Sequence, residues 1–189
     1  VQLWKGPLTI NARDGIGALS KLDLGGPIQL SCLGCEIEMT DSKLSGHLLG
    51  SNKAMVLRNV ESEGLMIDTT SGEVKLESPK GKFMVHTESG ALKTQQMNGD
   101  LSFQSDSGGM FLTGQRGRVE AQSQTGQMII EADQVDRLYN LDSQKGDIQL
   151  SLLPSFQGKL DLSSLKGDVV VQFPVEAIKS RTEAQYGPA

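Results

Sequence analysis

Residues 69–131 read TTSGEVKLESPKGKFMVHTESGALKTQQMNGDLSFQSDSGGMFLTGQRGRVEAQSQTGQMIIE. Gly72, Gly81, Gly90, Gly99, Gly108, Gly117 and Gly126 recur in it every nine residues without a miss, which marks an internal repeat. After each glycine comes an alternating pair of mostly apolar residues: Val74/Leu76, Phe83/Val85, Leu92/Thr94, Leu101/Phe103, Met110/Leu112, Val119/Ala121 and Met128/Ile130. A period of two with one apolar face is the pattern of a half-buried strand. The glycines alternate in context. Gly72, Gly90, Gly108 and Gly126 follow a serine or threonine, whereas Gly81, Gly99 and Gly117 follow Lys80, Asn98 and Arg116. The unit is therefore eighteen residues, strand, turn, strand, turn, and stacking such coils about 4.8 Å apart sets residue i beside residue i+18 in a parallel ladder.

The columns of that ladder are testable. Inward ones read Val74, Leu92, Met110, Met128, then Leu76, Thr94, Leu112, Ile130, then Val85, Phe103, Ala121, Tyr139. An outward one reads Lys82, Asp100, Arg118, Asp136, with opposite charges at neighbouring steps, an arrangement that supports register. Thr69, Thr87, Ser105 and Ser123 form a hydroxyl column before the glycines, where short side chains can bond the backbone of the bend. Glycine is expected to supply positive φ at the corners.

The fold expected is an all-β parallel β-solenoid with coils of about 18 residues and two strands each. Residues 1–178 form a single domain: irregular coils and a cap over 1–63, regular repeats over 64–131, and repeats with insertions over 132–173. Residues 179–189 are a polar tail. In the irregular part Gly17, Gly26, Gly34, Gly46 and Gly64 mark looser corners, with Leu19, Ile28/Leu30 and Ile37/Met39 inward. Trp4 suits a plug over the open end, because a solenoid end exposes unpaired backbone and core. The rhythm slips between Asp133 and Asn140, which points to a bulge or widened corner, and Leu152 to Gln157, with Pro154, reads as a protruding loop. Pro174 ends the last strand. At 189 residues there is room for about ten coils, roughly 48 Å of stack at that spacing.

Composition narrows the function classes. A hydrophobic content of 37% with 4% aromatics is lean for a globule and suits a thin core of Val, Leu, Ile and Met. The net charge of −5, with scattered lysine and arginine, gives no electrostatic footprint for nucleic acid and disfavours an anionic membrane surface. No run of eighteen apolar residues exists, so direct membrane insertion of this segment is not expected. The chain opens at Val1 rather than methionine. Targeting information is accordingly expected in sequence outside this soluble segment, with a cell-surface, extracytoplasmic or organellar location.

The units Gly99-Asp100-Leu101-Ser102-Phe103, Gly146-Asp147-Ile148-Gln149-Leu150 and Gly167-Asp168-Val169-Val170-Val171, with Ser-Gly units between them, resemble the adhesin-like β-strand-repeat family. Leu152-Leu153-Pro154 followed by Gly158-Lys159-Leu160-Asp161-Leu162 is similar to that family's proline-bearing loop before a late repeat. The resemblance covers roughly residues 64–173. It implies a parallel β-solenoid, often tethered to a membrane elsewhere in the protein, with no active site to carry over. The N-terminal third departs from the pattern.

Candidate chemistry is sparse. Cys32-Leu33-Gly34-Cys35 admits a redox or structural disulfide, half of a zinc site with His47 as a third ligand, or two reduced small hydrophobes at a corner. The reduced pair is the first expectation and the disulfide the second. No helix pattern follows Cys35 to activate a thiol, and zinc lacks a fourth ligand. Asp106-Ser107-Gly108-Gly109 looks like a serine-protease nucleophile motif, yet no histidine accompanies it and Ser107 belongs to the repeat. The Ser/Thr triplets ending at Ser71, Ser89, Ser107 and Thr125 suggest an ice-binding array, but their central residues Thr70, Glu88, Asp106 and Gln124 cannot sit in a dry core. The nonapeptide calcium motif is absent, and the acidic residues Glu88, Asp106 and Asp142 read as a solvated corner.

One surface feature stands out. The outward column Lys75, Lys93, Phe111, Ile129 turns apolar where polar residues are the rule, making Lys93, Phe111 and Ile129 a candidate partner-binding patch. The functional expectation is a non-enzymatic scaffold or adhesin-like interaction module for a protein or glycan partner, and a subunit of a larger assembly. No catalytic residue, no cofactor, and no metal beyond the weak set Cys32, Cys35 and His47 is expected. A polysaccharide-acting β-helix enzyme, or a redox or metal module at the two cysteines, are the alternatives.

Overall fold

The computed structural model describes residues 6–132 and 138–173. Every regular element among them is a strand: β1 (Leu8–Ser20), β2 (Ile28–Thr40), β3 (Gly46–Leu49), β4 (Met55–Arg58), β5 (Glu61–Thr69), β6 (Val74–Glu77), β7 (Lys80–Thr87) and β8 (Leu92–Gln95). There follow β9 (Asn98–Ser105), β10 (Met110–Gln115), β11 (Val119–Ser123), β12 (Met128–Ala132), β13 (Leu138–Ser143), β14 (Ile148–Ser151), β15 (Lys159–Ser164) and β16 (Val169–Gln172). From β3 on, odd strands stack on odd and even on even, always parallel. β1 and β2 each run through a corner. The first half of β2 therefore pairs with β3 and the second half with β4, joining the two faces into one sheet.

Val74 and Leu92 are partners, and Lys82 lies beside Asp100, as the eighteen-residue register requires. On the odd face Leu8, Ile28, Gly46, Leu65, Phe83, Leu101, Val119, Tyr139 and Leu160 form one inward column. That is nine rungs among the described residues, about eight turns in all, where the sequence suggested about ten. The nine rungs span residues 8–160, and four of the eight steps between them are longer than eighteen residues. The step is eighteen residues from Phe83 to Leu101 and to Val119, but twenty to Tyr139 and twenty-one to Leu160. Tyr139 consequently stacks on Val119, and Leu141 takes the place beside Ala121 that strict spacing assigned to Tyr139. The step from Gly46 to Leu65 is nineteen, the extra residue being absorbed as a bulge between Ser62 and Leu65.

The coils between Leu22 and Arg116 also have a short third side that the two-strand reading lacked. Leu22, Ser42, Val60, Pro79 and Met97 present their carbonyls to the N–H groups of Lys43, Glu61, Lys80, Asn98 and Arg116 at 2.7–2.9 Å. Ser42, Val60, Met97 and Gln115 point inward and are buried. The corner leading into this side is held in left-handed backbone by Lys21, Asp41, Asn59, Ser78 and Gln96, with φ between 50° and 54°. Asn59 donates to the Asp41 carboxylate at 2.9 Å there, one rung from its neighbour.

The two glycine contexts are two different corners. Gly99, at φ 149°, turns the third side into the odd face. Gly72, Gly90, Gly108 and Gly126 lie at the opposite bend, where glycine is demanded by contact with the carbonyl of the rung before rather than by positive φ. Their N–H groups donate to the buried hydroxyls of Thr69, Thr87, Ser105 and Ser123, three residues earlier. Thr70, Glu88, Asp106 and Gln124 face solvent, and with the leading hydroxyl of each triplet buried the array lacks the two outward hydroxyls an ice-binding face needs.

Leu152 is buried and the Phe156 ring packs against Tyr139 with centroids 6.0 Å apart, so the Pro154 loop folds back over the late core and exposes only its tip. Asp142 is on the odd face beside Gln122 and Ser163, away from the corner that holds Glu88 and Asp106. Trp4, most of the stretch from Asp133 to Asn140, Pro174 and the tail lie outside the described residues. At both ends the inward columns are only half-buried, whereas between Met39 and Leu150 most inward apolar side chains are 0–2% exposed.

Candidate functional site

Cys32 and Cys35 sit on the second rung where β2 turns from one face to the other, buried and joined as a disulfide, the second of the three readings. The backbone N–H of Gly34 between them donates to the Ser51 hydroxyl at 2.9 Å, tying the bend to the next rung. His47 does not join them. It stands on the outside of β3 beside Gln29, while the cysteines point into the core. Among the described residues no three His, Cys, Asp or Glu side chains are grouped to hold a metal ion. Ser107 is exposed and donates to the Glu88 carbonyl at 3.3 Å, as a corner residue does.

Lys93, Phe111 and Ile129 are consecutive neighbours on the outside of the even face. The Phe111 ring lies over Gly109, close enough that a Cβ there would stand 3.2 Å from its Cε2. Phe111 and Ile129 are both half-buried. Lys93 is engaged by Glu73 at 2.6 Å. One rung pair earlier, Arg58 binds Glu38 and, at 2.8 Å, Glu77, which also receives Lys75 at 2.6 Å. The Lys75 ammonium first and the Arg58 guanidinium second hold the Glu77 carboxyl below its ordinary range. Glu38 and Glu77 raise Arg58 in turn.

A second cluster, not foreseen, occupies the outside of the odd face. Both histidines of the chain converge on one carboxylate: His47 Nε2 donates to Asp68 Oδ2 at 2.5 Å, and His86 Nδ1 lies 3.3 Å from Asp68 Oδ1. His47, Met66 and Met84 follow one another down one outward column, and Leu49, Asp68 and His86 down the next. Met66 and Met84 are 40% and 45% exposed, while the other five methionines are 0% exposed. The alternation alone places Met66 and Met84 outward, between Leu65 and Ile67 and between Phe83 and Val85. The nineteen-residue step hid His47 from the same column.

Two shallow depressions at the surface are formed by Lys21, Asp41, Asn59 and neighbours at the left-handed corner, and by Asn11, Arg13, Ser31 and Leu33 beside β1. Neither contains a histidine or cysteine that would pair with a nucleophile. No helix among the described residues is long and apolar enough to cross a membrane.

The family model described as Toastrack DUF4097 matches residues 24–188, nearly the whole chain and every strand after β1. The chain belongs to the Toastrack family. The Toastrack match and the parallel coils agree on a β-repeat domain of unknown function, which is as far as the adhesin-like resemblance carries. Among curated proteins and solved structures none matches the chain.

Proposed function

We propose that this Toastrack domain is a non-enzymatic, adhesin-like interaction module, a stiff stack that presents a fixed surface to a partner and serves as one subunit of a larger assembly. The observation that carries the reading is the adjacency of Phe111 and Ile129 outside the even face, the largest side-by-side apolar pair in a column that otherwise runs Glu38, Val56, Lys75, Lys93 and then Gln149, Val170. Two large apolar side chains in register on a solvent face make a small contiguous patch, and Lys93 adds a charged rim. A protein is favoured over a glycan because the Phe111 ring is already laid on Gly109 and offers only part of a face for stacking. The buried cysteines and the surface depressions lend no comparable support to redox or polysaccharide chemistry.

Affinity capture from the native source, run in parallel with wild type and with Phe111→Asp/Ile129→Asp, tests the reading. The double variant is expected to lose the captured protein while keeping its circular dichroism. An unchanged capture profile removes the patch, and retention on a glycan array by wild type alone shifts the partner class to carbohydrate.

A further inference from the structure

Metal ligands in proteins are sorted by softness: thioether sulfur selects Cu(I), imidazole suits copper, and carboxylate serves harder ions. The outer odd face gathers the first two kinds. Met66 and Met84 are in-register neighbours on adjacent strands, about 4.8 Å apart at the backbone. Their flexible side chains let two sulfurs approach one point. His47 flanks Met66 on the next rung, and His86 lies two residues beyond Met84 on the same face.

The Asp68 carboxylate holds both rings from one side, His47 by a hydrogen bond and His86 by a 3.3 Å contact. A metal-bound histidine characteristically donates its other ring N–H to a carboxylate, which fixes the tautomer and aims the free nitrogen. Asp68 accepts from His47 Nε2, which leaves His47 Nδ1 as the nitrogen with a lone pair, and its other oxygen stands 3.3 Å from His86 Nδ1, on the side of that ring away from Nε2. The burial contrast adds a second observation. Five methionines fill the core, and the two that face solvent are the two beside the histidines.

We propose that Met66, Met84, His47 and His86 form a surface site for a single Cu(I) ion, with Asp68 as the positioning residue behind both imidazoles. The donor set discriminates by itself. Thioethers bind Zn²⁺ and Ni²⁺ poorly, so the site takes the soft monovalent ion and leaves borderline divalent ones.

The test is an anaerobic titration of the full chain with Cu(I) against the chromophoric chelator bicinchoninate, repeated with Zn²⁺ against a zinc dye. Wild type is expected to withdraw one copper per chain, and zinc not at all. Met66→Leu/Met84→Leu and His47→Gln/His86→Gln each weaken binding roughly tenfold or more, and Asp68→Asn weakens it by about 10–100-fold without changing the stoichiometry. All these positions are on the outer face, so thermal midpoints stay near wild type and report that folding is intact. X-ray absorption on the copper form is expected to show sulfur and imidazole together. The proposal is overturned if wild type leaves the copper with bicinchoninate. It is equally overturned if binding survives Met66→Leu/Met84→Leu but disappears in Cys32→Ser/Cys35→Ser, which assigns the metal to the cysteines.

Discussion

Gly108 lies so close to Gly90 on the preceding rung that a methyl group on it would stand 1.9 Å from the Gly90 carbonyl oxygen. The same approach recurs from Gly126 to Gly108 at 2.0 Å, so the glycine beat is a record of backbone contact. Gly108→Ala must push two rungs apart, and a cost of about 1–3 kcal/mol follows from overpacking. Gly64 keeps no such contact, with nothing within 4 Å of its would-be Cβ. Gly64→Ala is expected to be neutral or to gain about 0.4–1 kcal/mol by restricting the unfolded chain. Thermal unfolding of the two variants side by side checks the contrast.

Thr94 and Thr87 are both 1% exposed, yet the same substitution should move them in opposite directions. Thr94 stands between Leu76 and Leu112, and its hydroxyl is buried without a hydrogen-bond partner. Thr94→Val removes that unmet group and should stabilise the fold by about 1 kcal/mol. The Thr87 hydroxyl accepts from the Gly90 N–H at 2.7 Å. Thr87→Val strands that buried N–H and should cost about 1–3 kcal/mol. Urea unfolding midpoints read both signs in one experiment.

The reason the central coils were legible is that two independent periods coincide there, glycine every nine residues and apolar residues every second. The third side carries neither signal. Its inward positions run Ser42, Val60, Pro79, Met97, Gln115, too mixed to show an apolar alternation, and its left-handed corner is filled by Asp41, Asn59, Ser78 and Gln96 instead of glycine. The outward adjacency of Phe111 and Ile129 could be read because they fall inside the strict eighteen-residue block. His47 and Asp68 could not be paired the same way, since they lie diagonally across two columns and the bulge between Ser62 and Leu65 adds a residue, so they are 21 positions apart. Such insertions leave no mark in composition, because the extra residue sits at a solvent-facing bend.

Acid should weaken the even face through Glu77. Its carboxyl titrates below the ordinary value of 4.5 because Lys75, then Arg58, stabilise the ionised form. A depressed carboxyl binds its proton more readily in the unfolded chain. Its contribution is therefore complete above the unfolded value and is lost as pH falls through the folded one. Wild type should lose thermal stability more steeply than Glu77→Gln as pH drops below about 4.5, and the two curves should converge in strong acid. Parallel slopes over that window would show that Glu77 contributes nothing to the acid response.

Hydrogen exchange should follow the position of a rung in the stack. In a solenoid each coil touches only its neighbours, so an end rung is held from one side and opens without the rest. β15 and β16 each have a single strand partner among the described residues, and their inward side chains are half-buried or exposed. β7 and β9, by contrast, have partners on both sides and inward residues at 1–3% exposure. Amides of Lys159–Ser164 and Val169–Gln172 are expected to exchange orders of magnitude faster than those of Phe83–Thr87 and Leu101–Ser105. A uniform exchange rate along the chain would mean the stack opens as one unit and that nearest-neighbour contacts do not set its local stability.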